Sequence, residues 1–408
     1  MSLLRIETLE PSFQQVSRKG APPPPAPIAM MPLLRLGFRP FYLLAAAFAG
    51  VAIPLWTATF FGILPASALG LAWHVHEMVF GFAIAVIIGF LFTAGSAWTG
   101  LPTPRGAHLA ALALLWLAGR LAMLGTPAGV AAAIDLAFLP LAAWPLYQVL
   151  RKSGNNRNLF LVGLLSVLAT LNAVFHAAVL GWLPLNPIHP VQSALLVIVM
   201  IEATIGGRVI PIFTANAVPG VKPVINARRD RINIGLLAAA TITWTLGFPA
   251  PAVAGLCIAA ALSVLVRIIG YMPHRTVRNP LLWVLHLSYG WLAIGLFLLG
   301  LAALGMVSNS AAFHALGIGA TAGLIIGMLT RTALGHTARP LKAGAAETVM
   351  YVALHAGAVF RVLASLGSPD YFTPLVTAST LCWSASFLLY AIVYGPYLLR
   401  PRLDGKDG

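Results

Sequence analysis

The chain is built from twelve apolar stretches, each close to the length that a helix needs to cross a lipid bilayer. A membrane-spanning helix takes about 20 mostly apolar residues, because each residue advances the helix by about 1.5 Å. Charged residues make up only 9% of the 408 residues, whereas a soluble domain contains roughly 25%. We therefore predict an all-α integral membrane protein with about twelve transmembrane helices.

The membrane domain is predicted to cover residues 32–400. Within it the third, seventh and eighth segments are short or closely spaced. Numbered from the start of the chain, the twelve predicted segments are 41–63, 75–98, 107–124, 128–150, 159–182, 190–214, 232–248, 251–270, 281–306, 311–333, 347–367 and 371–398.

The two ends of the chain differ from this domain. Residues 1–31 contain the proline run Pro22 to Pro25 and no short apolar core before a cleavage site, so we predict a flexible cytoplasmic tail and no signal peptide. Residues 401–408 are predicted to form a second, short cytoplasmic tail. Cys257 and Cys382 lie inside apolar stretches and no CxxC motif is present, which indicates neither a disulfide framework nor covalent attachment of haem.

Basic residues fall on one side of the predicted topology. Lys and Arg collect in the short cytoplasmic loops of membrane proteins, and here they lie before segment 1 and after segments 2, 4, 6, 8, 10 and 12. Both termini are therefore predicted to be cytoplasmic. This orientation accounts for the net charge of +15, since no dense basic patch with interleaved aromatic residues indicates a nucleic-acid partner.

Two arginines, Arg120 and Arg361, oppose this rule because they lie near the predicted outer ends of segments 3 and 11. One interpretation is that they are interfacial anchors that extend to the lipid headgroups. The other is that they hold an anion, such as a haem propionate, at the outer face.

The histidines form two layers at different depths. Neutral imidazole is a common ligand of haem iron and copper, so we predict that at least two histidines of the outer layer bind a metal or a haem. The alternative for each is a hydrogen bond between helices. The outer layer contains His74, His76, His176, His189 and His314. The inner side contains His286 and His355, with His274 and His336 in predicted cytoplasmic loops.

His74 and His76 cannot bind one metal from the same continuous helix. Positions two apart point about 200° away from each other at 3.6 residues per turn. Either the helix begins between them or they serve different partners. Glu77 is predicted either to hydrogen-bond the second nitrogen of a ligating imidazole or to act only as an acidic residue in the first helical turn.

Polar residues inside apolar segments are further candidates, because burying a charge in a membrane is costly. Glu202 and Arg208 lie six positions apart in segment 6, separated by Gly206 and Gly207. They are predicted either to form ion pairs, with each other or with neighbouring helices, or to line a path for protons or anions. Asp135 in segment 4 is a weaker candidate of the same kind.

Segments 2, 6 and 10 share several features. All three are rich in glycine, which favours tight helix packing, and each runs inward from an outer histidine. Phe92-Thr93-Ala94 in segment 2 recurs as Phe213-Thr214-Ala215 in segment 6. Because the three segments are four spans apart, we hypothesise three tandem four-helix units in which segments 2, 6 and 10 are equivalent and related by a pseudo-threefold axis.

A series of motifs over residues 32–345 resembles the NnrS family. The motifs are Leu36 to Phe41, Trp73 to Met78, Gly89 to Gly100, Gly207 to Thr214, His286 to Trp291, His314 to Gly317 and Arg331 to Thr337. The resemblance implies a protein of the bacterial inner membrane that contains haem and copper and takes part in the response to nitric oxide and in denitrification. By motif, the histidines that it implies as ligands are His74, His76, His286, His314 and His336.

His176 and His189 are added as candidates by depth alone. His336 falls at the cytoplasmic end, so it indicates either a second metal site or a structural cap. The function that we predict is a membrane protein that binds haem b and copper and acts in the nitric oxide or nitrosative stress response, with an unidentified electron donor. Adjacent histidines, as in the copper site of haem-copper oxidases, are missing, so redox turnover of nitric oxide is left open. The alternative is a transporter for a metal ion or a small anion.

Overall fold

A computed structural model describes residues 31–65 and 69–408. Over these residues the chain forms twelve long helices joined by short loops and 3₁₀ turns, and no strand is present in the described part. Each predicted segment corresponds to one helix. The helices are α1 Phe38–Phe60, α2 Leu71–Thr99, α3 Gly106–Ala122, α4 Ala128–Lys152, α5 Leu159–Val179, α6 Ile188–Ala217, α7 Ala227–Thr245, α8 Ala250–Gly270, α9 Pro280–Ala303, α10 Asn309–His336, α11 Ala345–Leu366 and α12 Phe372–Leu399.

Ten of these helices are long and apolar enough to cross a membrane. The two others are α3, which is apolar but has only 17 residues, and α7, which opens on the charged run Arg228-Arg229-Asp230-Arg231. The prediction of an all-α integral membrane protein is confirmed. Of the three segments noted as short or closely spaced, the eighth forms one of the ten apolar spans.

The helices differ in how deeply they lie in the bundle. In the most apolar part of α2 and α10, 78% of the residues are buried, and the value for α6 and α9 is 67%, whereas the other spans have 33% to 44%. Helix α6 packs against both α2 and α10. The helices predicted to be equivalent therefore lie in the interior, together with α9. Their relation by a pseudo-threefold axis stays a prediction.

The first and last helices pack against each other and close the bundle. Arg39 in the first turn of α1 is fully buried, and its guanidinium donates to the carbonyl oxygens of Leu398 and Arg400 at 2.7 and 2.9 Å. The predicted tail 401–408 lies across the same face, where Arg402 donates to the carbonyl oxygen of His336. The predicted tail 1–31 lies outside the described residues apart from Met31.

Two helices contain a π-helical segment. In α2 it covers Glu77–Ala83, directly after His76, and in α10 it covers Ala315–Ala322, directly after His314. Such segments are rare and occur often at functional sites, because the wider turn disrupts the regular backbone hydrogen bonds and redirects side chains. Both segments contain glycine where a neighbour comes close: a Cβ atom at Gly319 would overlap with the indole ring of Trp291.

Candidate functional site

A group of charged and polar side chains is buried among α2, α3, α4 and α5. Each of its members is at most 4% exposed, so water does not screen their charges. We call this group the Asp135 cluster, and its members are His76, Glu77, Arg120, Asp135, Asn172 and His176.

Asp135 lies at the centre of the cluster and uses its two oxygens differently. Oδ1 forms a short ion pair with Nη2 of Arg120. Oδ2 accepts a hydrogen bond of 2.7 Å from Nδ2 of Asn172 and lies 3.1 Å from Nε2 of His176 and 3.2 Å from Nε2 of His76. One carboxylate therefore joins α3, α5 and the start of α2.

Glu77 forms the second half of the network. Its Oε1 accepts a hydrogen bond of 2.5 Å from Nη1 of Arg120 and lies 2.9 Å from Nδ1 of His76, while Oε2 is buried without a partner. Gly81, one turn later, lets the arginine approach: a Cβ atom there would lie 2.8 Å from Nη1 of Arg120. Glu77 therefore hydrogen-bonds an imidazole; that this imidazole binds a metal stays a prediction.

The charges of the cluster do not cancel. Glu77 and Asp135 bring two negative charges and Arg120 brings one positive charge, which leaves −1 when both imidazoles are neutral. A net charge away from water is costly, so one more positive charge, either a proton on an imidazole or a metal cation, would balance the site. His76, Asp135 and His176 each offer a ligand atom, and the three atoms lie within 4.8 Å of one another.

A second arrangement joins α2 to α10. The rings of His74 and His314 face each other with centroids 6.4 Å apart and planes 15° from parallel. Trp56 of α1 stacks on the ring of His74, with centroids 3.9 Å apart, and so holds the orientation of this imidazole. Because His74 turns towards α1 and α10 while His76 turns towards Asp135, the two residues serve different partners within one continuous helix, which begins at Leu71.

The nitrogens of this pair are open to a ligand. Nδ1 of His314 lies 2.7 Å from the carbonyl oxygen of Ser310 and donates its hydrogen there, so Nε2 carries the free lone pair. Nδ1 of His74 is buried without a hydrogen-bond partner. We refer to these two residues as the His74–His314 pair.

Arg361 of α11 brings a positive charge to this pair. Its Nη2 donates to the hydroxyl of Ser310 at 3.0 Å, and its Nη1 donates to the hydroxyl of Ser365 at 2.5 Å. Ser310 therefore connects the guanidinium to His314. No carboxylate is among these partners, so Arg361 keeps its charge available for an anion.

A protein-family model described as NnrS protein matches residues 32–402, which is nearly the whole chain. The chain belongs to the NnrS family. The resemblance carried by the motifs of residues 32–345 is thereby confirmed and extends through α11 and α12. No curated protein matches this chain. Membership of the NnrS family supports a multi-pass membrane protein of the nitric oxide response, and both histidine arrangements fall inside the matched residues.

The structure corrects both interpretations of Arg120. Its side chain is only 4% exposed and does not extend to the lipid headgroups. Its two terminal nitrogens bind Glu77 and Asp135, so it is not available to a haem propionate either. The local sequence could not reveal this, because Asp135 is on the next helix and Glu77 lies 43 positions earlier.

Three other predicted histidines lie outside both arrangements. His286 is held by hydrogen-bonding groups at both ring nitrogens, with the carbonyl oxygen of Leu282 at 3.0 Å from Nδ1 and the hydroxyl of Thr214 at 3.3 Å from Nε2. His189 donates from Nε2 to the carbonyl oxygen of Thr245. His336 packs against Phe38 at the far end of α10, about 33 Å along the helix from His314 at 1.5 Å per residue.

Glu202 and Arg208 do not pair with each other. Arg208 donates to the side-chain oxygen of Asn158 at 2.9 Å and lies over the ring of Phe160. Glu202 lines a cavity among α2, α6 and α10, and its Oε2 is buried without a hydrogen-bond partner. The predicted ion pair between Glu202 and Arg208 is therefore wrong, whereas a role of this segment in the passage of protons or anions stays a prediction.

The sequence did not reveal a second buried charge group, which we call the Arg267 cluster. Arg267 of α8 is 2% exposed, lies 2.9 Å from Asp230 of α7, and donates to Asn233 at 2.7 Å and to the hydroxyl of Tyr289 at 2.6 Å. Gly207 of α6 makes room for it, since a Cβ atom there would overlap with the guanidinium. Arg267 lies near the basic loops, where an arginine agrees with the positive-inside rule. Its burial in a polar cluster was therefore not predicted.

Proposed function

We propose that this protein binds haem at the His74–His314 pair and copper at the Asp135 cluster, and that it acts in the nitric oxide response at these two sites. The observation that carries the proposal is that His74 and His314, on two interior helices, have near-parallel rings with centroids 6.4 Å apart and that Nδ1 of His74 has no hydrogen-bond partner. The basic loops on one face support a place in the bacterial inner membrane with both termini in the cytoplasm.

The donor atoms of the pair fit a haem. Histidine is a usual axial ligand of haem iron, and the Ser310 carbonyl group fixes the tautomer in which Nε2 of His314 can bind a metal. The unpartnered Nδ1 of His74 gives a second nitrogen. Arg361, bound to neutral serines only, is placed to hold a propionate. When bound, haem iron supplies a site that binds nitric oxide and exchanges one electron.

The donor atoms of the Asp135 cluster fit a copper ion. Two imidazoles and a carboxylate are the nitrogen and oxygen donors that suit copper. Arg120 occupies Oδ1 of Asp135 and leaves Oδ2 towards both histidines. Glu77 orients His76 through Nδ1, and a metal cation would offset the charge of −1.

The surrounding residues act by excluding water and admitting small apolar molecules. The parts of α2 and α10 around both sites are mostly buried, so polar solutes are kept out. Nitric oxide is small and apolar and partitions into the membrane, from which it can reach a site between helices. The chain's own contribution is therefore to fix the ligands in a dry environment, where they bind more strongly than in water.

The test is a reduced-minus-oxidised optical spectrum and a copper analysis of the purified protein from haem-replete and copper-replete cells. His74→Ala or His314→Ala should remove the b-type haem signal and leave copper in place. His176→Ala should remove copper and leave the haem signal. The matched control is His108→Ala, since His108 is exposed at the start of α3 and belongs to neither site.

Wild-type protein without haem under these conditions would contradict the haem site. Haem that persists in both His74→Ala and His314→Ala would place its ligands elsewhere. If the protein also carried a metal ion or a small anion across the membrane of liposomes, the transporter alternative would replace the proposal.

A further inference from the structure

A long apolar groove lies between α8 and α9 on the surface of the helix bundle. Its volume of about 840 Å³ is within the range of about 300–1,000 Å³ that is usual for ligand sites. Ala261 and Ala293 in the groove are buried, whereas the bulky side chains beside them are 44–57% exposed. These exposed side chains are Leu262, Leu265, Leu287, Ile294 and Phe297. Small residues between large ones therefore leave a hollow that is open to the surroundings of the bundle, which in a membrane are lipid chains.

The groove follows one face of α9 over most of the helix. Trp283, Gly290 and Phe297 all line it and lie seven positions apart, which is nearly two helical turns. From Trp283 to Leu298 the helix advances by about 22 Å, at 1.5 Å per residue. The hydrocarbon of one leaflet is about 15 Å thick, half of the roughly 30 Å of the bilayer core. The groove is therefore long enough to take an acyl chain along its whole length.

The lining of the groove suits hydrocarbon. Among the described residues that line it, none is Asp, Glu, Lys or Arg. The hydroxyl of Thr276 donates to the carbonyl oxygen of Pro273 at 2.7 Å, and Nδ1 of His286 lies 3.0 Å from the carbonyl oxygen of Leu282. These polar groups are thus occupied by the protein itself. Because an unpaired polar group is costly in apolar surroundings, the part of a ligand that lies in the groove is apolar.

Positive charge lies at one end of the groove. Residues 271–279 join α8 to α9, and Thr276 and Val277 of this loop line the groove. The same loop contains Arg275 and Arg278, which are exposed and have no carboxylate partner in the described part of the chain. No Asp or Glu occurs between positions 271 and 279. The end of the groove therefore offers two free guanidinium groups, which bind phosphate oxygens well.

We propose that this groove binds an anionic phospholipid, with an acyl chain between α8 and α9 and the headgroup at Arg275 and Arg278. Basic pockets at the ends of membrane helices bind anionic headgroups in this way. A second copy of the chain fits less well. In the same membrane it has the same orientation and would bring its own two arginines to the same level, where like charges repel. The inference goes beyond the proposed function, since it involves neither haem nor copper.

Native mass spectrometry of the delipidated full chain tests this inference. Titrations with phosphatidylglycerol, and with phosphatidylcholine of the same acyl chains, give two dissociation constants. We expect the anionic lipid to bind more tightly by roughly tenfold or more, and the double variant Arg275→Gln/Arg278→Gln to weaken its binding by about fivefold per arginine. The matched control is Arg151→Gln/Lys152→Gln, because these exposed residues end α4, which does not line the groove.

A second variant fills the groove and leaves its charges in place. A Cβ atom at Gly290 would meet only Cδ1 of Ile268 within 4 Å, at 3.8 Å, so Gly290→Phe has room to enter the groove. It should weaken the binding of phosphatidylglycerol by roughly tenfold or more, since the acyl chain loses its buried contacts. Gly255→Phe in α8 is the control, because Gly255 does not line the groove and its new Cβ atom meets nothing within 4 Å. Far-UV circular dichroism should be the same in all variants.

Three outcomes would overturn the proposal. Equal affinities of the wild type for the two lipids would exclude an anionic site and indicate an uncharged apolar ligand. Unchanged binding of phosphatidylglycerol in Gly290→Phe would place the lipid elsewhere. A change from dimer to monomer in Gly290→Phe, measured by light scattering, would assign the groove to a second copy of the chain. These outcomes are independent of the haem and copper analysis, so the failure of one proposal is distinguishable from the failure of the other.

Discussion

The Asp135 cluster and the Arg267 cluster place an arginine in the interior in different ways. Arg120 meets two carboxylates that are at most 3% exposed, and these carboxylates also contact two imidazoles. Arg267 meets one carboxylate, whose side chain is 28% exposed, and otherwise neutral oxygens of Asn233, Tyr289 and the Ala203 backbone. With both imidazoles neutral, the first arrangement has a net charge of −1, whereas in the second one carboxylate balances one guanidinium.

This difference separates a cluster that contains candidate metal ligands from one that only holds helices together. Both clusters need a glycine for the guanidinium to fit, Gly81 in one and Gly207 in the other, so close packing alone does not distinguish them. What distinguishes them is the pair of imidazoles in the Asp135 cluster and its two carboxylates for one arginine. The Arg267 cluster has no histidine among its described contacts, and its donors are used in holding α6, α7, α8 and α9 together.

The largest expected effect is that of removing Arg120. Arg120→Met leaves two buried carboxylates unpaired, which should lower the free energy of unfolding by about 3–5 kcal/mol. Arg267→Met should cost less, about 2 kcal/mol, because it leaves neutral buried partners without a hydrogen bond, while water can reach Asp230 and screen its charge. Unfolding in mixed detergent micelles, followed by circular dichroism, measures both. Equal losses of unfolding free energy in Arg120→Met and Arg267→Met would remove the distinction between the two clusters. Arg208→Met is the control, because the hydrogen-bond partner of Arg208 is the neutral Asn158.

Addition of copper should stabilise the folded protein through the Asp135 cluster and not through the Arg267 cluster. Copper(II) at 100 times its dissociation constant should raise the free energy of unfolding of copper-free protein by about 2.7 kcal/mol, through mass action on the folded state. His176→Ala should abolish this increase, and Asp230→Asn should leave it unchanged. The same unfolding measurement with and without copper is sufficient. A copper effect that survives in His176→Ala would exclude the Asp135 cluster as its source.

A methyl group at Gly207 should destabilise the Arg267 cluster by steric overlap. Gly207→Ala brings a Cβ atom into the guanidinium of Arg267, and overpacking of this kind costs about 1–3 kcal/mol. Gly235→Ala in α7 is the control, because no atom lies within 4 Å of the new Cβ atom. Thermal unfolding of the two variants in parallel measures the difference, and identical midpoints would contradict the close contact.

The smallest effect is expected for Asp230→Asn. The amide keeps the shape and a hydrogen-bond acceptor for Arg267, and the lost ion pair is partly solvated, so the cost should be about 1 kcal/mol or less. Asp135→Asn should be clearly more destabilising, because its partners are buried on all sides. Denaturation curves of Asp230→Asn and Asp135→Asn under one set of conditions measure the two losses of unfolding free energy. A larger loss for Asp230→Asn would contradict the stronger dependence of the Asp135 cluster on its buried charges.

Several features of the site were predictable from the sequence because they are local. The opposite directions of His74 and His76 follow from helix geometry, and the contact of Glu77 with an imidazole follows from their being neighbours in the chain. The role of Asn172 had a local signal as well, since it lies one helical turn before His176 and so shares a face with it. Asp135 was recognised as an intramembrane acid, but its central position was not, because its partners come from three other helices.

The twelve helices, their order and the membrane class of the fold were all predictable from the amino-acid sequence. These properties depend on the length and apolarity of each segment, because a backbone in a bilayer must satisfy its hydrogen bonds within a helix. The contacts between polar groups became visible only in the folded chain: Arg120 and Asp135 are 15 positions apart, and His76 and Asn172 are 96 positions apart. The cost of a buried charge makes such a partner necessary, but only the packing of the helices determines which residue provides it.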